Sequence, residues 1–446
     1  MLYRTLKILF YLTVKAYFRS ISLNGLAQLS NKDKPVIYAA NHPSSFMDPI
    51  LLGAYLKRPL FFLARGDIFK SKLVRPLFNM LHMIPVYKAD LSPGQVHKND
   101  STFEKCHHHL GNNKTILIFP EGTSKTERRL RPIKTGAARI ALGAEEKNDF
   151  KLGLTIVPIG LNYSDPHLFK SDVHVNFGEP ILVSDYQEAY KKDPRDAVVQ
   201  LTERLKLDLE KQIVVIENAQ LEKTIEQIET LYRSTLRQNN PVEEKGTHNF
   251  KLSQDIVKAV EHFAKKSPNL VKSFDVKINA YIKDLENSEL RDTQIRSSSI
   301  RLKVIRRIIY FLIGFPFFMY GAIFNFIPFK LSGFIPRQIK IREDFVGAIN
   351  LSVGLVVFMI FYFLEAYLVS SYSSVFISVL FAISLYPAGL FSLDYIKNYY
   401  KFRGKIKYVT LFMHKSDLVA KLKVERQELI DELEKRKDEY LKIQEP

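Results

Sequence analysis

Two short apolar runs, each running straight into residues that do chemistry, limit the folds open to this chain. Val36-Ile37-Tyr38-Ala39-Ala40 leads into Asn41-His42-Pro43-Ser44-Ser45-Phe46-Met47-Asp48-Pro49. Thr115-Ile116-Leu117-Ile118-Phe119 leads into Pro120-Glu121-Gly122-Thr123-Ser124. Runs of this length without polar alternation read as buried strands. In an open α/β sheet the loops at the carboxyl ends of strands are where ligands bind. Two such loops carrying an imidazole and carboxylates suggest one shared site.

His42 and Asp48 suit proton transfer. A neutral imidazole takes a proton from a hydroxyl, and a carboxylate on its other nitrogen fixes the tautomer and stabilises the imidazolium. On one regular helix the two would lie ~120° apart, so the chain between them must turn, and Pro43-Ser44-Ser45 supplies a turn. Asp48-Pro49 ahead of Ile50–Leu56 also reads as a helix N-cap with proline at the first helical position, a role compatible with the first.

Several patterns are absent. Without a Gly-x-Ser-x-Gly elbow, Ser44 and Ser45 are poor candidates for a hydrolase nucleophile. There is no His-Glu-x-x-His zinc motif and no phosphate-binding Gly-x-x-x-x-Gly-Lys loop. The single cysteine, Cys106, sits beside His107-His108-His109. Three consecutive histidines point around a helix rather than at one ion, so we expect a surface helix capped near Asp100 or Ser101 and ending at Gly111, and no metal. One cysteine also means no intrachain disulfide, which fits a reducing compartment.

Asn41-His42 with Asp48, then Met83-Ile84-Pro85-Val86-Tyr87-Lys88, then Phe119-Pro120-Glu121-Gly122-Thr123-Ser124, then Ile156-Val157-Pro158-Ile159 occur in the order of the four blocks of glycerolipid acyltransferases. Over about residues 30–185 the chain resembles the glycerol-3-phosphate and lysophosphatidate acyltransferase superfamily. The resemblance implies that His42 deprotonates an acceptor hydroxyl, which attacks the thioester of an acyl-CoA or acyl-carrier-protein donor while Asp48 orients the imidazole. It implies no covalent acyl-enzyme and no further cofactor. Glu121, Gly122 and Thr123 match the block that contacts the acceptor's glycerol portion, Lys88 falls where a basic residue meets its phosphate, and Pro158 belongs to the block that shapes the acyl side.

Two positions depart from the family. Five residues separate His42 from Asp48 where four are usual, a spacing found in a branch that includes fungal dual-substrate enzymes. Ser124 stands where many members have a phosphate-binding arginine. Lys125, Arg128, Arg129, Arg131 and Lys134 follow at once, and such a cluster ahead of a helix starting near Thr135-Gly136 suits a phosphate or an anionic lipid surface.

The formal charge is +18 over 446 residues. Nucleic acid is a poor account of it, since no recognisable nucleic-acid-binding motif accompanies long uncharged apolar runs; an anionic bilayer leaflet suits both. Arg4, Lys7, Lys15 and Arg19 fall on one side of an N-terminal helix that is otherwise apolar, which reads as an interfacial anchor rather than a signal peptide. Ile308–Phe329 is uncharged and about 33 Å long as a helix. Phe345–Leu364 and Ser371–Leu393 are uncharged too, and we expect them to form a hairpin with both outer ends on the basic, cytoplasmic side. Basic residues flank the first run at both ends, and Gly314, Pro316, Gly321 and Pro328 interrupt it, so we expect it to break and re-enter.

Between these parts, Leu201, Leu205, Leu209, Ile213, Ile216, Leu221, Ile225, Ile228 and Leu231 recur at helical intervals, a break follows at 237–241, and a second helical stretch covers about 252–285. The tail after Ser416 alternates leucine with charge and reads as a coiled coil or a helix docked on this module. The expected organisation is an interfacial helix over 1–29, an α/β acyltransferase domain with a mixed sheet flanked by helices over 30–190, a charged helical region over 191–300, three hydrophobic segments over 301–400 and a charged helical tail over 401–446. Transfer to lysophosphatidate or glycerol-3-phosphate at the cytoplasmic face is the expected activity. A lyso-lipid without phosphate is the alternative acceptor; a membrane hydrolase and a catalytically silent lipid-binding protein are the other readings.

Overall fold

Val36–Ala40 (β2) is the buried strand its composition demands, every residue buried, and it lies inside an eight-stranded sheet. The computed structural model describes residues 2–28, 34–70, 75–87, 93–239, 245–295, 301–414 and 416–444. The other strands are β1 (Ser20–Asn24), β3 (Leu60–Arg65), β4 (Met83–Val86), β5 (Thr115–Ile118), β6 (Thr155–Tyr163), β7 (Asp172–Phe177) and β8 (Ile181–Leu182). Their order is β1-β7-β6-β2-β5-β3-β4, with β8 also on β6. The ladders from β6 through β2, β5 and β3 to β4 are parallel, and β7 and β8 pair with β6 antiparallel. The mixed sheet is therefore as expected.

Alternation along β2 feeds two cores. Val36, Tyr38 and Ala40 face one cluster; Ile37 and Ala39 face the other. Helices α1 (Leu2–Tyr17) and α2 (Met47–Tyr55) cover the first face. The short α3 (Arg75–Met80) precedes β4; α4 (Asn99–Gly111) and α5 (Gly136–Glu146) cover the second face. After α6 (Gln187–Lys192), α7 (Pro194–Gln212) joins that second layer through Ala197, Leu201, Leu205 and Leu209. Asp193 caps α7, accepting from the backbone N–H groups of Arg195 and Asp196.

The first compact unit runs Met1–Val215 and takes in Phe334–Leu355. It is larger than the sequence suggests at both ends. Beyond α1, residues 20–24 form an edge strand paired with β7. Helix α1 itself is built into the unit: Val14, Tyr17 and Phe18 are buried, and Lys7 reaches the carbonyl of Leu56 at the end of α2. Its outward face mixes Arg4 and Lys15 with Ile8, Tyr11 and Leu12. The leucine series is not one helix either, because Ile213 is extended and ends α7 inside this unit. The segment from 334 belongs here because Ala348 and Leu351 fill the α1–α2 core.

The second unit, Ile216–Gly333 with Val356–Pro446, is helical. It holds α8 (Glu222–Asn239), α9 (Lys245–Lys266), α10 (Pro268–Asn287), α11 (Asp292–Ile295), most of α12 (Arg301–Phe334) and α13 (Val346–Ser370), α14 (Val375–His414) and α15 (Ser416–Gln444). The expected break at 237–241 falls partly outside the described residues, and the stretch from 252 is two helices parted at Ser267-Pro268. The tail docks: Tyr232 donates to Glu434 at 2.6 Å, and Lys277 and Lys421 pair with Glu432 and Asp284 at 2.8 Å.

Among the described residues, three helices are long and apolar enough to cross a membrane. The first is unbroken, contrary to the expected interruption, with Pro316 and Pro328 inside it. Gly314 and Gly321 mark contacts rather than breaks. A Cβ on Gly321 would meet the Ala388 carbonyl and the Ser392 hydroxyl of α14, the close approach that small residues permit between apolar helices. Ser392 and Tyr395 donate to the carbonyls of Phe318 and Phe311 at 3.0 and 2.8 Å. Buried Asn325 donates to Leu385 O at 3.3 Å and accepts from the Tyr362 hydroxyl at 2.6 Å, tying all three helices together. Gly321→Leu should destabilise the unit by about 1–3 kcal/mol, read as a lower thermal midpoint in detergent. An unchanged midpoint would mean that α12 and α14 do not pack this way.

Candidate active site

Because β2 and β5 are adjacent and parallel, the loops that leave them start side by side. The first loop must bring His42 and Asp48 together, and it does so by turning through Ser45, whose φ is +38°. Asp48 enters in the first turn of α2 and is not its N-cap, a place taken by Phe46 without a side-chain bond. His42 Nδ1 lies 2.7 Å from Asp48 Oδ2. A carboxylate there only accepts, so in the neutral imidazole the proton sits on Nδ1 and Nε2 carries the lone pair.

Asp48 is fully buried, and two further donors satisfy it. The backbone N–H of Ser44 reaches Oδ2 at 2.9 Å, and the Tyr163 hydroxyl reaches Oδ1 at 2.8 Å. Tyr163, absent from the sequence reading, is placed by register: β6 pairs with Ala40 at Ile159 and continues past the end of β2. Burial, with the Asp48 charge adding to it, pushes the Tyr163 phenol well above its usual range, so it remains a donor. Asn41 holds the start of the loop, its side-chain amide bonding Leu161 in both directions at 2.6 and 3.1 Å. Ser44 and Ser45 are buried, which removes them as accessible nucleophiles.

The second loop is locked onto the first by Glu121. Its Oε1 accepts the His42 backbone N–H at 2.7 Å and its Oε2 that of Arg131 at 3.4 Å. Burial raises the Glu121 carboxyl, and those two N–H groups pull against it. The carboxylate is thus a structural clasp between loops as well as a polar wall beside the imidazole. Gly122 takes φ +72°, a conformation glycine adopts at no steric cost. Phe119 stacks on the His42 ring at 4.0 Å between centroids. The His42 side chain keeps 17% exposure, and Nε2 has no hydrogen-bond partner among the described residues.

The basic cluster is partly neutralised from within. Glu127 pairs with Lys125 at 3.2 Å and with Arg129 and Arg131 at 3.0 Å. Arg131 also donates to the Thr123 hydroxyl. Arg128 is half-buried, and Lys134 lies over Gly122. Ser124 donates to Asp344, which Arg342 holds through Nε at 2.5 Å and Nη2 at 2.8 Å.

Of the residues singled out from sequence, His42, Asp48, Glu121, Gly122, Thr123, Ser124 and Lys125 meet in these two loops. Pro158 does not: it sits within β6 beside Ala39, at the gap between the β7 and β8 pairings where a missing N–H is harmless. Lys88 lies outside the described residues. Cys106 is buried in the second core, its thiol pushed up to about 12 by burial. His107–His109 lie on α4, and no metal-binding cluster occurs among the described residues.

Residues 21–162 match the Acyltransferase family, a stretch that holds His42, Asp48 and Glu121 and stops just short of Tyr163. Glycerol-3-phosphate O-acyltransferase 1 of Saccharomyces cerevisiae is 31% identical over 167 residues, covering 35% of this chain and 22% of that protein. Glycerol-3-phosphate O-acyltransferase 2 of the same yeast is 36% identical over 137 residues, 30% of this chain and 17% of its own length. A chloroplastic 1-acyl-sn-glycerol-3-phosphate acyltransferase of Arabidopsis thaliana is 29% identical over 144 residues, 32% and 36% of the two chains. The region shared with the two yeast proteins is thus about a fifth of their length. Over residues 21–162 the chain thus carries an Acyltransferase-family domain similar to those of these glycerolipid acyltransferases.

Tyr163→Phe should lower kcat roughly tenfold, the worth of one lost bond to a buried carboxylate, with substrate KM values little changed. Steady-state kinetics check it; unaltered kcat would show that Asp48 holds the imidazole without the phenol.

Proposed function

We propose that the protein transfers a fatty acyl group from acyl-CoA, or from acyl-carrier protein, to the hydroxyl of a glycerolipid precursor, with His42 as general base. The observation that carries this reading is an imidazole whose Nδ1 is engaged by buried Asp48 at 2.7 Å while Nε2 has no partner among the described residues. Nε2 takes the proton of the acceptor hydroxyl as its oxygen attacks the thioester carbonyl carbon. The tetrahedral intermediate then expels the thiolate, the C–S bond breaks, and the imidazolium returns the proton to sulfur. The products are the ester and the free thiol. A base so placed contributes roughly 10²–10⁴-fold.

The acceptor's glycerol portion is taken to meet Glu121, Gly122 and Thr123, with Lys88 and the cations at Lys125 and Arg128 serving its phosphate, and Pro158 lying towards the acyl chain. No metal or further cofactor enters this scheme. Three long apolar helices and the mixed basic and apolar outer face of α1 support a membrane protein working on an anionic leaflet, the catalytic domain on the cytoplasmic face. An acyl product that partitions into lipid is best made there.

Lysophosphatidate and glycerol-3-phosphate are the favoured acceptors. Ser124, with its hydroxyl engaged by Asp344, keeps a phosphate-free lyso-lipid as the second reading. Purified membranes offered one acyl-CoA with each of these acceptors in turn, with products read by mass spectrometry, separate the two. Product from a phosphorylated acceptor is expected. Product from phosphate-free lipids alone would move the protein to lipid remodelling, and release of free acid regardless of acceptor would make it a hydrolase.

A further inference from the structure

Arg342 comes from the stretch that joins two long apolar helices, 218 residues away from the loop it meets. Its guanidinium is held on three sides. Asp344, buried, takes Nε and Nη2; Nη2 also donates to the Ser124 hydroxyl at 3.3 Å; and the Phe345 ring lies beneath it at 4.9 Å. Phe345 in turn meets Phe46 of the His42–Asp48 loop edge-on at 5.3 Å. One arginine is thereby fixed against both catalytic loops, by hydrogen bond to the second and through an aromatic pair to the first.

The remaining edge of this group is free. The Arg342 side chain is 59% exposed, and Nη1 has no partner among the described residues. A second guanidinium, Arg131, is held one residue away on the Thr123 hydroxyl. Lys134 lies against Gly122. Three cations therefore converge on Gly122–Ser124, two of them paired with Asp344 and Glu127, and Nη1 of Arg342, still carrying both of its N–H groups, is a charged donor suited to a phosphate oxygen.

We infer that Arg342 binds a phosphate group of a substrate, completing a phosphate site on the Gly122–Ser124 loop with Arg131 and Lys134. The inference rests on the acyl-transfer reading. The phosphate has two possible sources, a phosphorylated acceptor or the coenzyme A donor. Asp344 is a positioning residue: it holds the guanidinium through Nε and Nη2 and leaves Nη1 unengaged.

The test uses the full chain in detergent as wild type, Arg342→Ala, Arg342→Lys and the double variant Arg342→Ala/Asp344→Asn, which leaves no orphaned buried carboxylate. Equilibrium binding of sn-glycerol 3-phosphate and of acyl-CoA is measured beside transfer kinetics with glycerol 3-phosphate and lysophosphatidate. Arg342→Ala and the double variant should weaken binding of the phosphorylated acceptor roughly tenfold and raise its KM alike, with kcat nearly unchanged. Arg342→Lys, retaining the charge but not the guanidinium that Asp344 orients, should recover part of the loss. Weakening confined to acyl-CoA would assign the phosphate to the donor. If neither ligand is weakened, or if kcat falls while both KM values stand, Arg342 binds no phosphate. Weakened binding by a protein that transfers nothing would uphold Arg342 and overturn the acyl-transfer reading instead.

Discussion

Asp48 is fully buried, and a carboxylate out of water is tolerated only where donors replace the hydration it has lost. Three do so: the His42 imidazole, the Ser44 backbone and the Tyr163 hydroxyl. Each comes from a different consequence of the fold. His42 follows from β2 ending at Ala40, Ser44 from the turn through Ser45, and Tyr163 from β6 continuing beyond the edge of its neighbour. Losing any one leaves the others holding an under-satisfied charge. The tautomer of His42, and with it the open Nε2, depends on this arrangement.

Glu121 extends the same logic to the second loop. By accepting the His42 backbone N–H it makes the two loops one piece, so that whatever binds at Gly122–Ser124 is held at a fixed distance from the imidazole. Fixed geometry of this kind is what converts an encounter of two substrates into a reaction within one site. The charges around it are arranged in pairs rather than massed: Glu127 gathers three cations and Asp344 one. What remains facing outward is a small number of oriented donors, not a diffuse positive field.

Features set by local pattern were legible in the sequence. The strands Val36–Ala40 and Thr115–Ile118, the turn before Asp48 and the placement of Glu121 follow from composition and short-range spacing. Tyr163, Asp344 and Arg342 were not, because each acts across 115 to 220 residues and carries no local signal of its role. Register alone decides that Tyr163, and not another tyrosine, stands over Asp48. The first apolar helix shows the opposite error. Gly314, Pro316, Gly321 and Pro328 look like breakers taken singly, yet Gly321 is spent on contact with α14, a fact visible only once the partner helix is in place. Likewise the leucine series from 201 to 231 keeps its period across Ile213, where the backbone extends and the chain passes from one unit to the next.

The central claim is that the His42 imidazole is the base. Comparing acyl transfer by His42→Ala and wild type, at equal amounts in the same membranes, tests it most directly. The account predicts a loss of roughly 10²–10⁴-fold with the variant still retained in the membrane fraction. Equal activity in the two would contradict it, and would require that the acceptor hydroxyl lose its proton elsewhere.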